Sequence, residues 1–343
     1  MTPLIRAEAL SHSYKTRRFL RPNLSHMALD GIDLSLAAGE TLAVVGESGS
    51  GKSTLGRMLL GIERPTGGRV SYEGRDLSSF GPAEALRLTQ DLQMVFQNPS
   101  AALDPRLAVI SQIAEPLLIH KLAGLAEARS RAAEMMERVG LPPPLANRTP
   151  KLLSGGQRQR VVIARALMTG PRFVVFDEAV SALDVSVQAQ ILELIRSLRR
   201  SGGFASLFIT HDLRVVRHVA DRVAVLYLGR LVEEGPARQI FAAPGHPYTR
   251  ALLAAIPGSP LPRAARLHAG EIRREVGLGC ALVSRCPVAS ALCAQLTPPL
   301  VRLAPGRRLT CHHPLPRPAP RAQGAEAATA GLVHSVASQE ESA

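Results

Sequence analysis

The 343-residue sequence has no tryptophan, and aromatic residues make up 3% of it. The core must therefore be aliphatic, and the aromatic platforms on which single-stranded bases stack are missing, which argues against a nucleic-acid binder. No run of about 18 apolar residues occurs, so nothing reads as a membrane-spanning helix. The strongest stretches, Thr41 to Val45 and Phe173 to Phe176, are strand-length and closed by glycine or charge. Residues 1–10 carry Arg6 and Glu8 and lack the apolar stretch of a secretion signal, which predicts a chain kept in the cytoplasm. There is no internal repeat, which sets aside solenoids and propellers. Cysteine is confined to the last fifth of the chain, at Cys280, Cys286, Cys293 and Cys311. In a reducing compartment that clustering favours metal binding over disulfides.

What is present points to a folded α/β protein. Hydrophobic residues make up 46% and charged residues 20%, inside the globular range. The formal net charge of +13 predicts anionic partners such as nucleotide phosphates, lipid or nucleic acid, without choosing among them. From residue 4 to about 76, β-rich runs surround one strand, loop and helix unit: Thr41 to Val45, a glycine-rich loop, then Lys52 to Leu60. Between Pro82 and Leu167 apolar residues recur at three and four, as in Ala126 to Val139, followed by the breaker Pro142-Pro143-Pro144, which predicts a helical insertion. Strand-like runs resume at Phe173 to Phe176, Ser206 to Ile209 and Arg222 to Leu226, with a helix over Val187 to Arg199. After Pro257 the chain turns Pro- and Arg-rich, then Cys-containing. From Pro314 it is a low-complexity tail, expected to be disordered.

Gly46-Glu47-Ser48-Gly49-Ser50-Gly51-Lys52-Ser53-Thr54 fits G-x-x-x-x-G-K-[ST] and lies between a strand and a helix, as that motif requires. Its glycines let consecutive N–H groups wrap phosphates, the helix N-terminus adds a favourable dipole, and Lys52 neutralises β/γ oxygens. Ser53 is the expected Mg²⁺ ligand. Arg172 to Glu178 is an apolar strand ending in two carboxylates at the sheet edge where ligands gather. Asp177 there is placed to hold Mg²⁺ through water, and Glu178 to deprotonate an attacking water. Taken alone, a strand ending in acids serves solubility equally well.

Leu153-Ser154-Gly155-Gly156-Gln157-Arg158-Gln159-Arg160, before a helical run, stands with Gln97, Ser181-Ala182-Leu183-Asp184 and His211 in an order that resembles the ABC ATPase family over Met1 to about Ala254. The resemblance implies a P-loop NTPase cassette: a RecA-like α/β core with an antiparallel β subdomain and an inserted helical subdomain at about 96–168. It implies a nucleotide-binding domain over 1–256, and the composition shifts beyond it set off a Cys-containing extension over 257–313 and a low-complexity tail over 314–343. Ser154, Gly155, Gly156 and Gln157 are implied to bind the γ-phosphate held by the opposite subunit. Gln97 is implied to link Mg²⁺ and water to the transmembrane partner, Asp184 to lie at the dimer interface, His211 to contact the γ-phosphate and Tyr14 to stack on adenine. Ala179 departs from the family pattern, which places proline after the catalytic glutamate, so a fixed backbone φ is lost there.

Val95-Phe96-Gln97-Asn98-Pro99, Val180 to Gln190 and His246-Pro247-Tyr248-Thr249-Arg250-Ala251-Leu252-Leu253 narrow the resemblance to the oligopeptide, dipeptide and nickel importer branch. That implies an ATP-hydrolysing subunit on the cytoplasmic face of the membrane. Its implied partners are a paralogous ATPase, two permeases and an extracytoplasmic binding protein, with no direct nucleic-acid contact. Peptide is the expected cargo and nickel the alternative. A soluble ABC ATPase of another role is a second class; a small-molecule P-loop kinase leaves Ser154 to Gln157 without purpose. The spacing C-x5-C-x6-C-x17-C names no metal by itself, and four thiolates suit either zinc or a 4Fe-4S cluster. The segment looks too poor in core residues to fold on burial alone, which a metal centre would remedy. The branch resemblance implies 4Fe-4S held by Cys280, Cys286, Cys293 and Cys311.

Overall fold

Two sheets carry the architecture. The computed structural model describes residues 2–16, 24–259, 261, 267–270 and 279–316. β1 (Ile5–Thr16), β2 (Leu24–Leu36), β4 (Gly67–Tyr72) and β5 (Arg75–Asp76) form an antiparallel sheet ordered β2-β1-β4-β5. An eight-stranded sheet is built from β3 (Thr41–Val45), β6 (Leu92–Val95), β7 (Phe173–Asp177), β8 (Ala205–Thr210), β9 (Arg222–Tyr227), β10 (Arg230–Pro236), β11 (Leu300–Ala304) and β12 (Arg307–Thr310). Its order is β11-β12-β10-β9-β3-β8-β7-β6. The pairs from β9 through β6 are parallel, and those from β11 through β9 antiparallel.

In β3 and β7, Leu42 to Val45 and Phe173 to Phe176 read as unbroken apolar runs because both faces of these strands are covered. Phe173 and Val175 face the antiparallel sheet and α1 (Lys52–Leu59), whereas Val174 and Phe176 face the helical layer. That layer consists of α3 (Pro99–Ala102), α4 (Val109–Ile119), α5 (Leu125–Arg138) and α6 (Gly155–Leu167). Ile113, Leu117, Ala132, Met136 and Val161 join it to Phe176 and to Ile191 and Ile195 of α7 (Val185–Gly202). A third cluster, with Val225, Tyr227, Tyr248 and Leu282, lies over β9 and β10. The core is largely aliphatic, and the few aromatics pair within it: Phe176 on Phe208 at 5.7 Å and Tyr227 on Tyr248 at 4.7 Å between ring centroids.

The structure differs from the sequence reading in two places. Within the span read as helical, only Pro82–Asp91 (α2) and α3 to α6 are helices of four residues or more; Leu92–Val95 is β6, paired in parallel with Phe173 to Phe176. Four residues are too few to display a period, and their strand partner lies far along the chain. The segment after Pro257 was expected to be starved of core. Instead, β11 and β12 form a hairpin whose second strand adds to the large sheet beside β10. Leu282 and Leu309 are each 1% exposed. The arginines of this segment find acids on β10: Arg307 pairs with Glu233 and Arg308 with Glu234. The tail expected to be disordered lies, from residue 317 on, outside the described residues. Among the described residues no helix is long and apolar enough to cross a membrane.

Candidate active site

Because β3, β8, β7 and β6 are neighbours and parallel, their carboxyl ends open on one edge. Each delivers a residue with chemistry there. The Gly46–Thr54 loop follows β3, His211 follows β8, Asp177 and Glu178 close β7, and Gln97 lies two residues past β6. Such an edge, with a helix N-terminus pointing into it, is where α/β sheets bind anionic ligands.

The loop has no room for side chains at its hinges. A Cβ on Gly46 would lie 2.1 Å from the Leu226 carbonyl oxygen, and one on Gly51, at φ +98°, would lie 2.4 Å from that of Ala28. Lys52 is 4% exposed, and its Nζ donates to the carbonyls of Gly46 at 2.8 Å and Glu47 at 2.9 Å. Burial pushes its pKa down, while Glu178, Asp177 and Glu47 pull it back up. Among the described residues the buried Ser50 hydroxyl finds no hydrogen-bond partner. An ammonium satisfied by its own loop and an orphaned hydroxyl fit a phosphate group.

Ser53 Oγ donates to Asp177 Oδ1 at 2.9 Å, so these two side chains meet where a divalent cation beside the phosphates would be held. Burial raises the Asp177 pKa, opposed by the Ser53 hydrogen bond. Glu178 Oε2 accepts from Gln97 Nε2 at 3.0 Å, and its Oε1 lies 3.5 Å from His211 Nδ1. Glu178 adopts φ +46°, a strained conformation costing about 1–3 kcal/mol that persists only where neighbours enforce it. They do so here. Its N–H donates to the Ile209 carbonyl at 3.0 Å, and its carbonyl accepts from Ser181 N at 3.1 Å and Ser181 Oγ at 2.9 Å. These bonds hold the turn at Ala179 without the ring of a proline. Tyr14, 36% exposed, shares a hydrogen bond with Thr54 Oγ1 at 3.2 Å and accepts one from Arg57 at 3.1 Å, which places its ring beside the start of α1.

Ser154 to Gln157 and Asp184 are gathered elsewhere. Ser154 caps α6 reciprocally: its Oγ accepts from Gln157 N at 3.2 Å while Gln157 Oε1 accepts from Ser154 N at 2.9 Å. Asp184 caps α7, accepting from Val187 N at 2.9 Å and Ser186 Oγ at 2.7 Å, which lower its pKa. A Cβ at Gly156 would come within 2.7 Å of Val187 Cγ1, and one at Gly155 within 3.4 Å of Leu183 Cδ2, so the two helix starts touch. Among the described residues no hydrogen bond or ion pair joins Ser154 to Gln157 with Gly46 to Thr54.

Sequence reasoning missed the residues that hold the loop from outside. Tyr248 hydroxyl accepts from Glu47 N at 2.8 Å, and Arg285 grips the Glu47 carboxylate through both terminal nitrogens at 2.9 and 3.0 Å. Tyr248 stood inside a recognised stretch with no role attached, and Arg285 was one more arginine in a basic segment.

The expected cluster at Cys280, Cys286, Cys293 and Cys311 is overturned, and zinc with it. All four are free cysteines, and among the described residues no three or more His, Cys, Asp or Glu side chains form a group able to hold a metal ion. Burial raises the pKa of the Cys280, Cys286 and Cys311 thiols, the last to about 11. The stabilisation that a metal was expected to supply comes from the hairpin and from buried Leu282 and Leu309.

Comparison with known proteins identifies the family. Residues 29–181 match the ABC transporter family, and residues 232–293 match the oligopeptide/dipeptide transporter C-terminal region. The chain is 45% identical to the Di/tripeptide transport ATP-binding protein DppF of Pseudomonas aeruginosa, over 91% of this chain and 98% of that one. It is 47% identical to the Dipeptide transport ATP-binding protein DppF of Escherichia coli K12, over 87% and 91%. Among solved structures, a dimeric ATP-binding cassette in a post-hydrolysis state bound to ADP and Pi superposes with a TM-score of 0.61 at 29% identity, covering 68% of this chain and 99% of that one.

Proposed function

The chain belongs to the ABC transporter ATPase family, in the group bearing the oligopeptide/dipeptide transporter C-terminal region, and from that premise we propose that it drives uptake of di- or oligopeptides by hydrolysing ATP. The observation that carries the reading is the meeting of Glu178 with Gln97 and His211 at the edge where Lys52, Ser53 and Asp177 converge. Lys52 and the loop amides bind the β and γ phosphates, and Tyr14 lies under the adenine. Ser53, Asp177 and Gln97 hold Mg²⁺, which neutralises developing charge on the phosphate oxygens when bound. Glu178 accepts the proton of the attacking water, and His211 steadies the γ-phosphate.

Ser154 to Gln157 cap the nucleotide of an opposing subunit, a paralogous ATPase, with Asp184 at that interface. Residues 1–256 form the nucleotide-binding unit. Its helical part, about 96–168, receives two permeases fed by an extracytoplasmic binding protein, and the chain sits peripherally on the inner face of the membrane. The relatives named above are di- and tripeptide transport proteins, which supports peptide as cargo. The assembled complex in proteoliposomes tests this. Labelled dipeptide should enter with wild-type chain and not with Lys52→Ala. Uptake of nickel in place of any peptide would sink the peptide assignment.

A further inference from the structure

The G-x-x-x-x-G-K-[ST] pattern leaves its second position free, and here Glu47 fills it with a carboxylate. Phosphate binding there depends on positive potential from amides, a helix N-terminus and Lys52. Glu47 places a negative charge on that same loop, one residue from Gly46 and with its carbonyl on Lys52 Nζ. The chain answers it from far along the sequence. Arg285 makes the two-pronged contact with the Glu47 carboxylate described above, and its Nη1 also donates to Tyr227 Oη at 3.3 Å. The guanidinium is 17% exposed and the carboxylate 35%, so the pair is only partly screened by water.

Arg285 is fixed by its own segment. Its N–H and that of Cys286 both donate to the Leu282 carbonyl at 2.9 Å, and Leu282 is buried against the cluster holding Tyr227 and Tyr248. The Glu47 backbone, by contrast, is held by Tyr248, whose hydroxyl takes its N–H independently of Arg285. The carboxylate and the backbone of Glu47 are therefore secured by different residues. Loss of Arg285 removes the charge partner and leaves the loop's hydrogen bonds in place.

We propose that Arg285 is a positioning residue for the nucleotide loop: it cancels the Glu47 charge that would otherwise repel the triphosphate, and so makes ATP binding depend on the docked C-terminal extension. The inference rests on the ATP reading of the loop. It assigns the extension a part in nucleotide affinity that is separate from any contact with permease or partner ATPase.

Equilibrium binding of a fluorescent ATP analogue to purified full-length chain, without Mg²⁺, tests it. Lys52→Ala checks the underlying reading: if it binds like wild type, the loop assignment fails, whatever Arg285 does. With that control abolishing binding, Arg285→Met should weaken affinity about tenfold, the order expected of one unpaired charge beside the phosphates, and the loss should shrink in high salt. Adding Glu47→Gln to Arg285→Met should restore near-wild-type affinity, because no carboxylate is left to cancel. A purely structural brace would not be rescued this way. Wild-type affinity in Arg285→Met, or no recovery in the double variant, overturns the proposal. If Arg285→Met does not fold, Glu47→Gln alone decides: it should bind ATP as well as or better than wild type, and weaker binding overturns the proposal.

Discussion

The Arg307 guanidinium lies 2.8 Å from the Glu233 carboxylate, and the two side chains are 3% and 0% exposed. Glu233 also accepts from the N–H groups of Gly245 at 2.9 Å and His246 at 3.0 Å. One carboxylate thus ties β12 of the extension to β10 and to the start of α10 (Pro247–Ala254). Removing one partner of a buried pair strands the other charge, typically at about 3–5 kcal/mol. Arg307→Met should lower stability to urea by that order, and adding Glu233→Gln should recover much of it. Equal urea midpoints for Arg307→Met and wild type would contradict the pair's role.

His246 is 1% exposed, and burial pushes its pKa down to about 4. Its Nδ1 accepts from Tyr248 N at 3.1 Å, capping α10. The native state keeps this ring neutral while the unfolded chain protonates it below its ordinary pKa of about 6.5. Between those two values the unfolded state binds more protons, so stability falls as pH drops, by about 3 kcal/mol across the window. His246→Asn keeps a cap acceptor and does not titrate. Its urea stability should change less steeply between pH 6.5 and 4; an unchanged slope would mean that another group sets the acid limit.

The strands and the phosphate loop were legible because their signals are local. Leu42 to Val45 and Phe173 to Phe176 are apolar without interruption since both faces are buried, and Gly46 to Thr54 is a contiguous motif. β6 was not legible, because four residues become a strand only through pairing with Phe173 to Phe176. The extension misled for a related reason. Arg307 and Arg308 belong to the segment read as Arg-rich and poor in core, yet Glu233 and Glu234 meet them across the sheet. Four clustered cysteines suggested ligands in a segment that seemed short of core; with β12 in the sheet and Leu282 buried, they stand as free thiols. Glu47 was legible as part of the loop, but nothing near it in sequence announced Arg285 or Tyr248.

Ser154 and Gln157 spend their hydrogen-bonding groups on each other at the start of α6, apart from the loop of their own chain. If they complete an opposing subunit's site, purified chain should hydrolyse ATP weakly, with specific activity that rises with protein concentration. Ser154→Arg should abolish that rise while leaving ATP binding intact. Full activity in a verified monomer, independent of concentration, would remove Ser154 from the reaction.

Glu178 stands at the centre of the account, strained at φ +46° and held between Gln97 and His211. Glu178→Gln keeps the shape of the side chain and removes the base, so it separates binding from chemistry. The decisive measurement is ATP turnover by the assembled transporter carrying Glu178→Gln, with nucleotide binding followed in parallel. The account predicts unchanged ATP affinity and turnover lowered about 10²- to 10⁴-fold. Turnover near the wild-type rate would contradict it.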